Sequence, residues 1–125
     1  MENEFTSREN IVEQKSEKFA IKIVKLYKHL CKQHKEYDLF KQILRSGTSV
    51  GANIAESEYA ISDKDFLNKM HISLKECKET KFWINLLYKT DYLSEKQFLW
   101  IYDDCIELIK ILTAITKTLS EKLKK

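Results

Sequence analysis

Apolar residues recur along this chain in steps of three and four, in four separate runs. Phe19, Ile23, Leu26 and Leu30 make the first, flanked by Ala20, Val24, Tyr27 and Cys31. Leu39, Ile43, Val50 and Ile54 make the second, and Phe66, Met70, Leu74, Cys77, Ile84 and Leu87 the third. The last is the most regular: Phe98, Ile101, Cys105, Leu108, Leu112, Ile115 and Leu119. Such spacing paints one face of an α-helix. In the last run it is a heptad pattern, which suits helix packing at a shallow crossing angle.

Capping residues divide the runs. Thr6 or Ser7 opens the first, with Glu9 or Asn10 placed to reach back. Asp38 opens the second, Ser62 with Asp65 the third, and Ser94 with Gln97 the fourth. The apolar pattern stops near His34–Tyr37 and again near Lys89–Leu93. Helices are therefore predicted over roughly 7–35, 38–59, 63–90 and 95–122. Short connections between them predict an all-α, antiparallel up-down-up-down four-helix bundle, a single domain over 1–125.

Composition agrees. There is no proline and there are two glycines in 125 residues, fewer turn formers than a mixed fold needs. The formal charge of +3 permits an anionic partner without demanding one. Cys31, Cys77 and Cys105 are far apart and lack metal-ligand spacing, so they read as reduced thiols in helix interiors. The polar, acidic start is no signal peptide, and no apolar run reaches the ~18–20 residues of a membrane span. A cytoplasmic protein is expected.

The stretch RSGTSVGANIAES, Arg45 to Ser57, departs from the rest. It holds both glycines and no charge between Arg45 and Glu56, in a chain that is 33% charged. Gly47, Gly51 and Ala55 fall four apart, which on a helix makes a groove of missing side chains. Each glycine costs a helix about 1 kcal/mol relative to alanine, a loss that close approach of a neighbouring helix could offset. Helix is thus preferred over loop. A phosphate-binding loop would need a preceding strand and a following Lys-Ser/Thr, both missing, and the flanking charges argue against a membrane-dimer motif. Beside the groove, Arg45, Ser49, Asn53 and Glu56 form a row. Arg45 and Glu56 lie about 16 Å apart along the axis, so each must pair with another helix, another subunit or a ligand.

Two surface features bear on partners. Lys15, Lys18, Lys22, Lys25, His29 and Lys32 recur at three- and four-residue steps, on the side roughly opposite the apolar stripe. Seven lysines against one glutamate between Lys15 and Lys35 give a local charge of +6. Such a row can track phosphates; a solvated helix face is the alternative reading. The second feature is apolar excess. Phe82, Trp83, Leu86 and Tyr88 surround a helix that one bundle face cannot cover, and Trp100 and Tyr102 add to the load on the last helix. Phe82, Trp83, Leu86, Tyr88 and Trp100 are the expected oligomer interface.

Catalytic chemistry is poorly represented. The Glu-x-x-His spacing of carboxylate-bridged metal bundles is missing, since Asn68 precedes His71. Glu76 with Glu79, and Asp104 with Glu107, could be ligand pairs, although such pairs normally decorate surfaces. No nucleophile motif assembles the Ser, His and Asp residues. No enzyme, metal or cofactor is expected.

Arg45-Ser46, Ser49-Val50 and Asn53-Ile54-Ala55-Glu56 resemble the signature of the four-helix bundle proteins encoded in intervening sequences of bacterial 23S rRNA genes. Asp65-Phe66, Ser73-Leu74-Lys75-Glu76, Glu79-Thr80 and Trp83-Ile84 are similar to that family's third helix, and the resemblance runs from about Tyr27 to Leu119. Ser57 departs from the pattern, standing where the family usually has glycine. The resemblance implies an antiparallel bundle assembling into a homopentameric ring, with no enzymatic activity established. A related group, the accessory variability proteins of diversity-generating retroelements, binds nucleic acid and a reverse transcriptase. The leading expectation is a non-enzymatic homo-oligomer, a pentamer by resemblance, that binds RNA or DNA through its lysines. The alternative is an adaptor or accessory subunit of a reverse transcriptase or another enzyme.

Overall fold

The computed structural model describes residues 4–124, with side chains from Asn10 onward. Four helices follow in order: α1 (Glu4–Gln33), α2 (Tyr37–Ser57), α3 (Asp63–Lys89) and α4 (Glu95–Leu123). Helix α1 packs on α2, α2 on α3, α3 on α4, and α4 back on α1, while the backbones of the diagonal pairs stay apart. The chain is thus an antiparallel four-helix bundle, with no strand among the described residues. The four apolar runs meet at its centre, where Phe19, Ile23, Phe40, Ile43, Ile84, Ile101 and Leu112 are all at most 1% exposed.

The helix ends show how local chemistry sets the boundaries. Helix α4 has the full capping box: Ser94 Oγ accepts from Gln97 N at 3.1 Å and Gln97 Oε1 accepts from Ser94 N at 2.8 Å. At α3 only half of the box forms. Ser62 Oγ accepts from Asp65 N, but Asp65 turns back to accept from Ile61 N instead. Asp38 does not cap α2. That role falls to Glu36, which makes no side-chain cap bond, and Asp38 lies inside the first turn, where its charge meets the positive end of the helix. Helix α1 begins at Glu4, ahead of Thr6 and Ser7, whose side chains lie outside the described ones.

Helix α3 stops at a left-handed residue. Asp91 has φ 68, and beyond it Asp91 N donates to Tyr88 O and Tyr92 N to Leu87 O, closing the last carbonyls. Tyr92 then packs edge-on against His34 (4.9 Å between centroids) and Phe40 (5.4 Å), which ties the α3–α4 turn to the α1–α2 turn. Ser57, where the resemblance led to glycine, is the last residue of α2. It is buried and its hydroxyl donates back to Ile54 O at 2.5 Å.

Candidate nucleic-acid interface and the helix clamp

The stretch from Arg45 to Ser57 is helical throughout, and its small residues face α1. A Cβ built on Gly47 would lie 2.7, 2.9 and 3.0 Å from three side-chain carbons of the buried Ile23. One built on Gly51 would stand 3.3 Å from the Ser16 carbonyl oxygen, part of the α1 backbone. Ala55 is exposed, so the close approach is made by the two glycines and fades one turn later.

The polar row on the same helix faces α3. The Arg45 guanidinium donates to Glu76 Oε2 at 3.3 Å and to Glu79 Oε2, which also accepts from Trp83 Nε1 at 3.1 Å. The Trp83 N–H first, and then Arg45, hold the Glu79 carboxyl below the usual carboxylate range. Glu79 in turn raises Arg45. Lys69 Nζ reaches Glu56 Oε2 at 3.3 Å. Ser49 and Asn53 bond within α2, to Arg45 O at 2.6 Å and Ser49 O at 2.8 Å. Arg45 and Glu56 therefore find partners on a neighbouring helix of the same chain, and Asn53 does not cross between helices.

Beneath this row lies a set of contacts the sequence reading missed. Thr80 Oγ1 donates to Ser46 Oγ at 2.9 Å, and Ser73 Oγ donates to Val50 O at 2.8 Å, all buried between α2 and α3. Their signal was visible: Ser46, Ser73 and Thr80 interrupt otherwise apolar stripes at core-facing positions. The two helices are fastened by surface ion pairs outside and hydroxyls within.

The lysine row of α1 is divided by the packing. Lys15 pairs with Glu107, and Lys22 with Asp104 at 2.7 Å, both on α4. Lys22 Nζ also donates to Trp100 O at 3.1 Å and sits 4.8 Å from the Trp100 ring centroid. These two lysines flank the α1–α4 seam rather than standing opposite the core. Lys18, Lys25, His29 and Lys32 are exposed, and no ion pair found among the described residues engages them. The two acidic pairs considered as ligands are engaged as well, Glu76 and Glu79 by Arg45, Asp104 and Glu107 by lysines. No group of three or more His, Cys, Asp or Glu poised for a metal occurs among the described residues.

Of the five side chains expected to form one interface, Phe82 and Trp83 touch, and Tyr88 and Trp100 are turned into other seams. Tyr88 stacks on Phe98 at 4.3 Å in the α3–α4 seam, and Trp83 packs against the core on the α2 side. Trp100 lies under Lys22 at the α1–α4 seam. Leu86 is half-buried, and only Phe82, 57% exposed, stands clear on the outer surface of α3. Helix α3 thus divides its large side chains between α2 and α4 and leaves Phe82 outside.

Cys77 and Cys105 meet inside the bundle, 3.9 Å between sulfurs, with neither exposed. Their mutual hydrogen bonding and burial push the Cys77 thiol upward.

Two interlocking features define this chain: a small-residue seam between α1 and α2 and an arginine–glutamate clamp between α2 and α3, in an antiparallel bundle. Over residues 8–114 the sequence matches the 23S rRNA-intervening sequence protein family. The chain belongs to that family. A solved structure from Bacteroides thetaiotaomicron, described as a protein with unknown function from the S23 ribosomal protein family, is 49% identical. The match covers 88% of this chain and 98% of that one, with a TM-score of 0.85. Among curated proteins, none matches. No helix among the described residues is long and apolar enough to cross a membrane.

Proposed function

We propose that this chain is a non-enzymatic, homo-oligomeric bundle, a pentamer by family resemblance, that binds RNA or DNA through the outer side of α1. The observation that carries the reading is the state of the lysine row. Helix α4 neutralises Lys15 and Lys22, yet Lys18, Lys25, His29 and Lys32 stay exposed and outside the ion pairs found among the described residues. Lysines that no carboxylate engages among the described residues are available to phosphates, and their contacts release counterions. The rRNA-related family supports a ribonucleic partner. Self-assembly is supported by apolar side chains left exposed on separate parts of the surface: Tyr59 and Ile61 in the α2–α3 turn, Leu99 and Trp100 on α4. Two distinct patches per subunit are what a closed head-to-tail ring requires.

One preparation tests both halves. Changing Lys18, Lys25 and Lys32 to glutamine should weaken binding to duplex nucleic acid. It should also make the slope of log affinity against log salt shallower by about 3, at roughly 0.9 per phosphate contact. Lys22 is left alone because it holds Asp104 and Trp100. Light scattering on the same sample should give a multiple of 14.9 kDa. Unchanged affinity and slope would assign the row to solubility, and a monomer mass would remove the assembly.

A further inference from the structure

We propose that the outward row of α3, running from His71 through Lys75, Lys78 and Phe82 to Lys89, is a second nucleic-acid surface, suited to single strands. It rests on the nucleic-acid reading above but on a different helix, diagonal to α1 in the bundle.

The row owes its charge to the clamp. Glu76 and Glu79, the carboxylates in the middle of α3, are both drawn toward α2 by Arg45. Lys75, Lys78 and Lys89 are left exposed, and none enters an ion pair found among the described residues. Lys75 feels Glu79 only as the last contributor to that carboxyl's depressed pKa, behind Trp83 and Arg45. Between these lysines stands Phe82, 57% exposed. Its ring is propped edge-on by Trp83, centroids 5.0 Å apart at 76°. Trp83 is itself fixed, packed on the core and tied by its N–H to Glu79. The result is an aromatic face propped on Trp83 in a row of exposed ammonium groups, Lys75 to Lys89, spanning about 21 Å of helix.

That pairing selects its ligand. Ammonium groups meet phosphates of any nucleic acid, but an exposed ring gains only from a base whose face is free, as in a single strand. Self-association is the competing use of Phe82. It would bury Lys75 and Lys78 beside it, and lysine is depleted from interface cores.

The test compares an oligothymidylate of about 16 nucleotides, a length at the top of the range for strand-tracking sites, with a duplex of equal length. Phe82→Leu keeps an apolar group but removes the stacking face. It should weaken single-strand binding about tenfold and leave duplex binding unchanged. Changing Lys75, Lys78 and Lys89 to glutamine should make the single-strand salt slope shallower by about 2, at roughly 0.7 per contact. All four side chains are exposed, so the variants should melt as the wild type does. If the wild-type chain binds neither probe, the nucleic-acid reading falls and this one with it. If the wild type binds single strands and both α3 variants bind as tightly, this inference alone is overturned. A lower assembly mass in Phe82→Leu would also overturn it, by assigning the ring to a contact between copies.

Discussion

Replacing Gly47 with alanine adds one methyl group to the molecule, and the structure says where it would land. The new Cβ would meet Cγ1, Cγ2 and Cδ1 of Ile23 at 2.7, 2.9 and 3.0 Å. Ile23 is fully buried and branched at Cβ, so rotation about χ1 gives it little escape. Overpacking of this kind costs about 1–3 kcal/mol. Against it stands the gain in helix propensity, about 1 kcal/mol for glycine to alanine. The balance is a destabilisation of roughly 0–2 kcal/mol, where a helix without the contact would gain about 1. At around 4 °C per kcal/mol for a domain of this size, a thermal melt at fixed protein concentration resolves the sign. Ile23→Ala removes all three clashing atoms. The double variant should therefore recover stability relative to the sum of the singles, by about 1–2 kcal/mol of coupling. A higher melting temperature for Gly47→Ala with no coupling to Ile23 would refute the close approach. Gly51 is the softer site, because its added Cβ would stand 3.3 Å from the Ser16 carbonyl and a small shift of α1 could absorb it.

Two other outcomes follow from the clamp and the α3 terminus. The Glu79 carboxyl is depressed in the folded state, so its contribution is full above the unfolded value near 4.3 and is lost as pH falls through the folded one. The melting temperatures of wild type and Glu79→Gln should therefore differ at pH 7 and converge below about pH 4, and a gap that persisted in acid would remove Glu79 as the titrating group. Asp91 sits at φ 68, a region where β-branched residues are strained. Asp91→Val should cost about 1–2 kcal/mol while Asp91→Gly costs little, and equal melts for the two would refute the left-handed turn.

What the sequence disclosed follows from the range of the forces involved. The Ser94–Gln97 box and the stripe from Phe98 to Leu119 depend on residues three and four apart, so spacing alone reveals them. The approach of α1 to Gly47 was legible because two glycines four apart in a helix need a packing reason. The partners of Lys15 and Lys22 were not legible. They depend on the register of α1 against α4, a property of the assembled core that no local pattern encodes. Arg45 shows the same limit in milder form: its spacing from Glu56 required an outside partner, but only packing could choose Glu76 and Glu79. The hydroxyls of Ser46, Ser73 and Thr80 were overlooked for a different reason. A small polar side chain in an apolar stripe reads as a gap until its acceptor on the facing helix is placed.

The meeting of Cys77 and Cys105 has a consequence for how the molecule breathes. Reaction with a thiol reagent needs a thiolate and a path to it: both sulfurs of this pair are fully covered while the bundle is closed, and the hydrogen bond to Cys105 and burial push the Cys77 thiol up. Cys31, half-buried near the end of α1, is differently placed. Modification should thus proceed in two phases, a prompt one at Cys31 and a slow one limited by separation of α3 from α4. The slow phase measures opening from the inside, at the pair of helices that carries the most regular stripe in the chain. Any electrophile or oxidant would encounter the same order of events, so these two sulfurs record whether the core has ever come apart.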